Sequence, residues 1–363
     1  MLLATNDAQA IQTFLLEYRH QPLTYRLYLK EIERLVLWCV YALQMSVSDL
    51  KREHLIQYQE FLRDPQPAAL WCGPKKNRAL RTGEVNPEWR PFVSGLSAPT
   101  LRKSVSVLDS FFNYLVQHNY LSGNPMAIDK RKKGVKSNST DRWLEREEIV
   151  GTLEALSLYE QENPTKAFEV LRAQYIILTL FYTGLRLAEV SQHTMGNFVL
   201  MEDHWYLKVV GKGQKLRSIV VVDEYLEVLV RFRKALELES PFPTYGETTP
   251  LIPALDKRSS ITDNRVSQIL RWAFDIGAAH FERLSQEGSD QSFFYVPKAS
   301  KLRQASAHWI RHSYGTYLVK SGCPIEKVRQ LMGHADISTT MIYVHFAKSD
   351  LIAAVSKLSL TED

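Results

Sequence analysis

Leu180-Phe-Tyr-Thr-Gly-Leu-Arg-Leu-Ala-Glu-Val190 is an apolar run that is interrupted by a glycine and carries one arginine. Its pattern predicts a buried helix that ends at Gly184 against a second, short helix. Arg186 is thereby carried into the protein interior. An arginine in this position is also typical of a structural ion pair, and Glu189, three residues further along, is spaced to be its partner.

A second informative segment is Trp205–Val222, in which two β-rich runs flank Gly211-Lys-Gly-Gln-Lys215. A glycine-flanked turn between two such runs predicts a β-hairpin. Lys212 then lies at the tip, where its ammonium is mobile, while Lys215 and Arg217 are candidate DNA contacts. A turn of this composition is equally typical of a plain solvated hairpin tip.

Two further segments carry histidines. His308 and Arg311, in Ser306-Ala-His-Trp-Ile-Arg-His-Ser313, are three residues apart, which puts both on one helical face with Cβ atoms about 5–6 Å apart. In Leu331-Met-Gly-His-Ala-Asp-Ile-Ser-Thr-Thr-Met-Ile-Tyr-Val-His345, His334 follows a glycine turn and Tyr343 lies on the next amphipathic helix. Tyr343 has the helical spacing from apolar neighbours that a core aromatic residue also has.

Together, six polar residues indicate chemistry on a phosphodiester. Two guanidiniums, one ammonium and two imidazoles can hold a phosphate and offset the charge that develops when a phenolic oxygen attacks it. Each residue alone has an ordinary structural explanation, and the combination in this order carries the hypothesis. The candidate catalytic residues are Arg186, Lys212, His308, Arg311, His334 and Tyr343.

The order Arg, Lys, His-x-x-Arg, Gly-His, Tyr resembles the tyrosine recombinase (phage integrase) family over roughly residues 144 to 345. The departures are Ile310, where leucine is usual, and Trp309, where a smaller residue is commoner. The resemblance implies that Tyr343 attacks the scissile phosphate and leaves a 3′-phosphotyrosyl link and a free 5′-hydroxyl. It further implies that Arg186 and Arg311 bind the non-bridging oxygens.

The remaining roles concern protons. Lys212 would protonate the leaving 5′-oxygen, His308 would accept the phenol proton, and His334 would donate a hydrogen bond to the phosphate. Because the protein–DNA link conserves the bond energy, no nucleotide cofactor is needed. No P-loop and no Rossmann glycine pattern is present in the sequence, so we expect no cofactor.

Composition agrees with an intracellular enzyme that meets a polyanion. The chain has 363 residues, of which 45% are hydrophobic, and a net charge of +5, which favours a polyanionic partner modestly. Its cysteines, Cys39, Cys72 and Cys323, are far apart and odd in number, which predicts neither a disulfide scaffold nor a metal site. No signal peptide and no apolar run of about 18 residues is found, so we expect a cytoplasmic protein without membrane contact.

The first part of the chain predicts a small helical domain over residues 1–125. Amphipathic patterns at 22–42 and 97–118, with shorter ones near 6–18 and 48–63, indicate a four-helix unit similar to the family's core-binding domain. Residues 64–96 are irregular and basic, which predicts an inserted loop that either contacts DNA or is a surface excursion.

Residues 126–143 predict a basic linker between two domains. A basic tether suits a clamp that closes around a duplex, although charge runs are also commonly just solvated. At the start of a helix in the first domain, Arg102 and Lys103 are further candidate DNA contacts, or simply solubilising charges. The linker's candidate DNA contacts are Lys130, Arg131, Lys132 and Lys133.

Residues 144–345 predict a mainly α catalytic domain with a small β-hairpin, so the fold class is mainly α with a minor sheet. Residues 237–261 and 286–303 are expected to be excursions from its core. The tail, 346–363, carries an apolar stripe that predicts a short helix. The resemblance implies docking of this tail on a neighbouring protomer, and folding back on its own domain is the alternative.

Three functions from different classes are consistent with these patterns. The leading one is a site-specific recombinase that acts on duplex DNA with specific sites, as a homotetramer, with possible accessory DNA-bending or directionality factors. A type IB topoisomerase shares the tyrosine chemistry. A non-catalytic DNA-binding relative is disfavoured because every candidate catalytic residue is present.

Overall fold

The computed structural model describes residues 2–80, 82–126, 142–211, 215–286, 292–334 and 339–340. The chain divides into two units, Met1–Lys136 and Ser137–Asp363. Both units are built mainly from helices, and the second also contains a small antiparallel sheet. The predicted fold class, mainly α with a minor sheet, is confirmed.

Five α-helices are described in the first unit. They are α1 (Asp7–Leu16), α2 (Pro22–Trp38), α3 (Arg52–Arg63), the short α4 (Ala68–Trp71) and α5 (Ala98–Gln117). A π-helical turn, Cys39–Leu43, continues α2, and a 3-10 turn, Val47–Asp49, precedes α3.

The core of this unit forms where the apolar faces of these helices meet. Helix α5 buries Leu101, Leu108 and Phe112 at helical spacing, and Leu35 of α2 and Tyr58 of α3 pack in the same cluster. The four predicted helical patterns correspond to α1, α2, α3 and α5. Burial of one face per helix is what stabilises each of them.

Residues 64–96 are irregular for most of their length but include α4, which the sequence did not predict. Trp71 and Phe92 are buried in the core of the first unit. Arg34 of α2 contacts the end of the segment. Its Nε and Nη2 donate to the Pro91 carbonyl at 3.0 and 2.9 Å, and its guanidinium carbon lies 4.4 Å from the Phe92 ring centroid. The segment is therefore anchored at both ends, and its role in DNA contact stays a prediction.

The second unit contains most of the described helices. They are α6 (Arg146–Glu162), α7 (Ala167–Thr183), α8 (Leu187–Gln192), α9 (Asp223–Ala235), α10 (Asp263–Gln286), α11 (Ser292–Gln304), α12 (Ala307–Lys320) and α13 (Ile325–Met332). Short 3-10 turns occupy Pro164–Lys166 and Met195–Asn197.

The sheet has the order β1 (Phe198–Met201), β2 (His204–Val210) and β3 (Leu216–Val220). Leu207 of β2 pairs with Phe198 on one side and with Ile219 on the other, and all three are buried against the helices. Strands β2 and β3 form the predicted hairpin, and β1 is an additional edge strand that the sequence analysis missed.

Helix α7 lies at the centre of the second unit's core. Its apolar residues face α9, α10 and α12, and the ring of Tyr175 stacks on Phe232 of α9 with centroids 3.9 Å apart. An apolar helix of this kind is buried on nearly all sides. The prediction that a buried helix ends at Gly184 is thus confirmed. The expectation that Arg186 is carried into the interior is wrong, because its side chain lies at the corner after α7, lines an open cavity and is 35% exposed.

Two segments expected to be excursions contribute to this core. Residues 292–304 of the predicted polar excursion form α11, which packs on α10 and buries Ala299 and Leu302. Residues 237–261 are irregular but bury Leu251 and Ile252. Arg233 of α9 fixes this second segment, because its Nε and Nη2 donate to the Ser240 carbonyl at 3.1 and 3.0 Å.

Several predictions concern residues outside those described. They include Lys212, Tyr343, the tail 346–363 and most of the linker, with Lys130, Arg131, Lys132 and Lys133. Within the described ranges, no helix is both long and apolar enough to cross a membrane.

Candidate active site

Arg186 lies at the corner between α7 and α8, two residues after Gly184. Gly184 ends α7 with a φ of 58°, in the left-handed region that glycine adopts without strain. A Cβ atom here would overlap the ring of Tyr314, so both the backbone and the packing require glycine. From this corner the guanidinium of Arg186 reaches Gly333, whose carbonyl accepts from Nη2 at 2.7 Å.

Glu189 is the hub of the polar network beneath Arg186. Its carboxylate accepts from Arg186 N at 2.8 Å and Nη1 at 3.0 Å, and from Arg217 Nη1 at 3.0 Å and Nη2 at 2.7 Å. Burial raises the pKa of Glu189, but the hydrogen bonds and charges of Arg217 and Arg186 outweigh it and lower the pKa to about 2. The ion pair that the sequence offered as an alternative for Arg186 therefore exists, and it also orients the guanidinium.

Arg311 of α12 approaches the same corner from the other side and is 3% exposed. Its Nη1 donates to the Gly184 carbonyl and its Nη2 to the Met332 carbonyl. Gly333 ends α13 with a φ of 60°, so that the Met332 and Gly333 carbonyls face the two arginines. The candidate arginines, 125 residues apart, thus converge on two glycine corners.

The histidines lie beside these guanidiniums. His308 and His312 are one turn apart on α12 and share a hydrogen bond of 2.8 Å between their Nε2 atoms. Desolvation, then the charges of Arg311, Arg142 and Arg186, lower the pKa of His308. Burial, then the charge of His308 and other cations, lower the pKa of His312 to about 3. Both imidazoles are therefore neutral at pH 7.

His334 follows Gly333 directly. Burial, then the charges of Arg311 and Arg186, lower its pKa to about 4, so it too is neutral at pH 7. Its Nδ1 shares a 3.0 Å hydrogen bond with Oγ1 of Thr340, which is fully buried. In the sequence, Thr340 precedes the candidate nucleophile Tyr343 by three residues.

The hairpin that carries Lys212 is fastened to the same cluster. His193, at the end of α8, accepts from Val210 N at Nε2, 2.9 Å away, and its Nδ1 bonds the Glu189 carbonyl at 2.7 Å. A Cβ atom at Gly211 would lie 3.1 Å from Arg217 Nη1. The residue before Lys212 therefore packs directly on the arginine network, while Lys212 itself lies outside the described residues.

A cavity of about 1000 Å³ opens over this cluster, and it is lined by basic residues with no acidic one among the described residues. Its basic lining groups are Arg186, Lys215, Arg217, Lys327, Arg329 and His334. Such a cavity favours a polyanionic ligand because like charges reinforce one another in a concave site.

The predicted DNA contacts differ in how their side chains are engaged. Arg102 and Lys103 of α5 are exposed, and Lys215 lines the cavity. Arg217 is directed at protein groups: besides Glu189, its Nε donates to the Leu331 carbonyl at 3.1 Å. The structure gives Arg217 a positioning role, and contact with DNA stays a prediction for all of these residues.

Sequence reasoning missed three members of the site: His193, His312 and Thr340. His312 was visible as the i+4 neighbour of His308, whereas His193 gave no signal because its partners are a backbone carbonyl and a backbone amide. Within the described part of the chain, no group of His, Cys, Asp or Glu side chains could hold a metal ion.

Comparisons with known proteins agree with this geometry. Residues 142–350 match the model of the phage integrase family. The chain is 25% identical over 343 residues to a tyrosine recombinase of Thermosipho africanus, and the match covers 94% of each chain. It is 28% identical over 267 residues to the tyrosine recombinase XerD of Brucella abortus, and this match covers 73% of this chain and 77% of that protein.

The fold is also similar to a solved structure of the XerH site-specific recombinase bound to a palindromic difH substrate in a post-cleavage complex. The TM-score is 0.60 at 20% identity, covering 98% of this chain and 85% of the other. The matched range, residues 142–350, contains the described residues of the site. The resemblance predicted from the sequence is therefore confirmed. This chain belongs to the phage integrase family of tyrosine recombinases.

Proposed function

We propose that this protein is a site-specific recombinase that cleaves and rejoins duplex DNA, with Tyr343 as the nucleophile that forms a 3′-phosphotyrosyl intermediate. The observation that carries the proposal is the convergence of Arg186 and Arg311 on the corners at Gly184 and Gly333, with Arg186 lining a basic cavity. Membership of the phage integrase family supports the same reaction class.

The two arginines would bind the non-bridging oxygens of the scissile phosphate. Their guanidiniums are oriented before any substrate arrives, because Glu189 and the glycine-corner carbonyls fix their positions. Groups oriented in advance stabilise the charge of a phosphorane-like transition state without a reorganisation cost. A fork of parallel N–H donors matches two phosphate oxygens, which a lysine ammonium cannot do.

Proton transfer would involve His308 and Lys212. A phenol with a pKa of about 10 needs a base at neutral pH, and His308 can accept a proton because burial and the nearby cations lower its pKa and keep it neutral. A bound phosphate would neutralise part of that cationic field and so strengthen the imidazole as a base. Lys212 would supply the proton to the leaving 5′-oxygen, and His334 a hydrogen bond to the phosphate.

A type IB topoisomerase would use similar chemistry but would swivel one duplex instead of exchanging two. The relatives favour the recombinase, since the Thermosipho protein covers both units of this chain and is named a tyrosine recombinase. A non-catalytic relative is disfavoured because Arg186, His308, Arg311 and His334 are all present and, as described, clustered.

The assembly that we propose has four protomers on two duplexes. The basic linker 126–143 would join the core-binding domain, residues 1–125, to the catalytic domain, residues 144–345, so that both close around DNA. The tail, 346–363, would dock on a neighbouring protomer and couple their activities. Accessory DNA-bending or directionality factors, and a cytoplasmic location, are further parts of this proposal.

The decisive experiment traps the covalent intermediate. The target sequence is first recovered by selecting bound duplexes from a randomised pool, and a nicked version is then incubated with the protein and run on a denaturing gel. Wild type should give a protein–DNA adduct and Tyr343→Phe none, with the exposed Tyr245→Phe as the matched control that keeps it. An undiminished adduct from Tyr343→Phe would exclude this nucleophile.

A second assay separates the two reaction types. Exchange between two recovered sites is measured beside relaxation of a supercoiled plasmid that lacks them. Exchange that depends on the site supports the recombinase. Efficient relaxation without exchange would instead favour the topoisomerase.

A further inference from the structure

Arg172, on α7, is a buried arginine that the proposed reaction does not use. The residue is 1% exposed, and its Nε has no hydrogen-bond partner among the residues that the structure describes. The nearest aromatic ring, Phe168, has its centroid 5.8 Å from the guanidinium carbon. A buried guanidinium donor without an acceptor is costly, so a site of this kind needs an anionic oxygen.

Arg172 forms part of the wall of a cavity of about 300 Å³ between α6, α7 and α10. Lys166 and Arg265 line the same cavity. Its one carboxylate, Glu169, pairs with Lys166 at an N–O distance of 3.1 Å; its charge also acts on Arg172, but it accepts no hydrogen bond from Arg172 Nε. Three cations against one carboxylate leave a net charge of +2. Arg265 is held in place by its Nη1 bond to the Gln268 side chain at 3.1 Å.

The rest of the wall is apolar. Trp272 and Tyr159 meet edge to face with ring centroids 5.6 Å apart, and Ile269 lies beside them. Aromatic walls around a small number of charged groups are typical of sites for small organic ligands. The cavity therefore combines the buried guanidinium of Arg172 with apolar walls that suit a flat or branched apolar ligand.

This cavity is distinct from the candidate active site. From Arg172 to Thr183, at the end of the same helix, α7 advances about 17 Å at about 1.5 Å per residue. None of the residues that line the catalytic cavity lines this one. A DNA phosphate is also a poor match, because Arg172 is 1% exposed and is not presented on an open basic surface.

We propose that this cavity is a binding site for a carboxylate carried on a small apolar body, with Arg172 as the buried anchor and Arg265 at its rim. The carboxylate accepts from the guanidinium of Arg172, and the ring of Trp272 packs on the apolar part of the ligand. Two sources share this chemistry, a small organic acid and an acidic side chain of a peptide.

The test uses para-fluorobenzoate as the probe and fluorine NMR of the ligand as the readout, on the full-length protein. We expect binding with a Kd on the order of 1 mM, an ordinary value for a ligand this small. The neutral isostere para-fluorobenzamide should bind at least roughly tenfold more weakly, since its uncharged amide oxygen accepts a weaker hydrogen bond from the guanidinium than a carboxylate does. Equal binding of the two compounds would overturn the proposal.

Variants locate the site. Arg172→Met and Arg265→Met should each weaken benzoate binding by roughly tenfold or more. Arg271→Met is the matched control, because Arg271 is exposed on α10 and donates to the Arg303 carbonyl outside this cavity. If Arg172→Met does not fold, the comparison of Arg265→Met with Arg271→Met still tests the site. Equal affinity of these two variants for benzoate would refute the proposal.

Two competition arms distinguish the ligand sources. A short peptide with one glutamate beside an apolar residue should displace the probe if the natural ligand is a protein segment, whereas displacement by free organic acids alone points to a small molecule. Displacement by duplex DNA would place the cavity on the DNA interface and overturn the proposal. Binding should persist in Tyr343→Phe, so this result is independent of the proposed reaction.

Discussion

Arg217 and Glu189 lie 28 residues apart in the chain and are joined by two parallel hydrogen bonds, of 3.0 Å from Nη1 to Oε1 and 2.7 Å from Nη2 to Oε2. The same carboxylate also holds Arg186. The orientation of a candidate catalytic arginine therefore depends on a second arginine that lies on β3. This relationship gives the first of our predictions.

Arg217→Lys should destabilise the protein by about 1–3 kcal/mol, because a lysine cannot make both bonds to the buried Glu189 carboxylate. Chemical denaturation measures this loss. Arg231→Lys is the control, since Arg231 is exposed and its single bond to Gln174 is 3.4 Å long, so we expect a change within about 0.5 kcal/mol.

The same variant tests whether Arg217 acts through Arg186. At saturating DNA, adduct formation by Arg217→Lys should be slower than by wild type, while the affinity for DNA changes little. A loss of affinity with an unchanged rate at saturation would instead make Arg217 a DNA contact.

The low pKa of His334, about 4 against an ordinary 6.5, predicts a pH dependence of stability. Between these values the unfolded chain binds more protons than the folded chain, so the free energy of unfolding falls as the pH drops from 6.5 towards 4. One proton corresponds to about 1.4 kcal/mol per pH unit. In His334→Asn the dependence of the unfolding free energy on pH, measured by urea denaturation at a series of pH values, should be shallower than in wild type. The control is His204→Asn, at an exposed histidine, which should keep the wild-type dependence. Equal slopes in the two variants would contradict the prediction.

Acid should also weaken the network around Glu189. Its pKa is lowered to about 2 in the folded protein from an ordinary 4.5, so its contribution is complete above pH 4.5 and is lost as the pH falls towards 2. Glu189→Gln should remove that contribution at neutral pH and cost about 3 kcal/mol, since two guanidiniums lose their counterion. A variant as stable as wild type at pH 7 would show that the ion pairs contribute nothing net.

His312→Phe should slow cleavage without preventing folding. The 2.8 Å bond between His312 and His308 fixes the ring orientation and the tautomer of the proposed base, and general-base catalysis contributes roughly a hundredfold or more. The readout is the pH profile of adduct formation, which should shift in this variant. His312→Gln, which keeps a polar partner, should restore part of the rate; a profile identical to wild type in the phenylalanine variant would argue against this role.

Gly184→Ala should destabilise more than Gly322→Ala. Both glycines have positive φ, 58° and 79°, which costs an alanine about 1–2 kcal/mol. An added Cβ at Gly322 meets no atom within 4 Å, whereas at Gly184 it overlaps the Tyr314 ring, so the difference between the variants isolates the packing cost. Thermal unfolding measures both, and equal losses would mean that the ring moves aside freely.

The sequence predicted those parts of the fold that are encoded locally. The buried helix before Gly184, the hairpin and the one-turn spacing of His308 and Arg311 all follow from short-range patterns, and so does the family. Helix α11 was missed because its apolar positions do not form a clear stripe and Pro297 lies inside it. Strand β1 was missed because four residues are too few for a reliable alternation pattern.

Contacts between distant segments could not be predicted in this way. Nothing near Arg217 indicates that it pairs with Glu189, and nothing near Arg172 indicates that its Nε is left without an acceptor. Likewise, Arg34 reaches the Pro91 carbonyl across 57 residues, which makes an apparently free insertion part of the first core. Each of these features depends on which helices become neighbours.

The acceptors that hold the two candidate arginines are the main-chain oxygens of Gly184, Met332 and Gly333. A substitution changes a side chain but leaves a peptide oxygen in place, so Met332 can vary without removing its acceptor. Mutation can disturb this geometry by bending the backbone at the glycines, by replacing the arginines themselves, or by removing the Glu189 carboxylate that also holds Arg186. The sequence around the reaction centre can therefore vary freely except at those few positions.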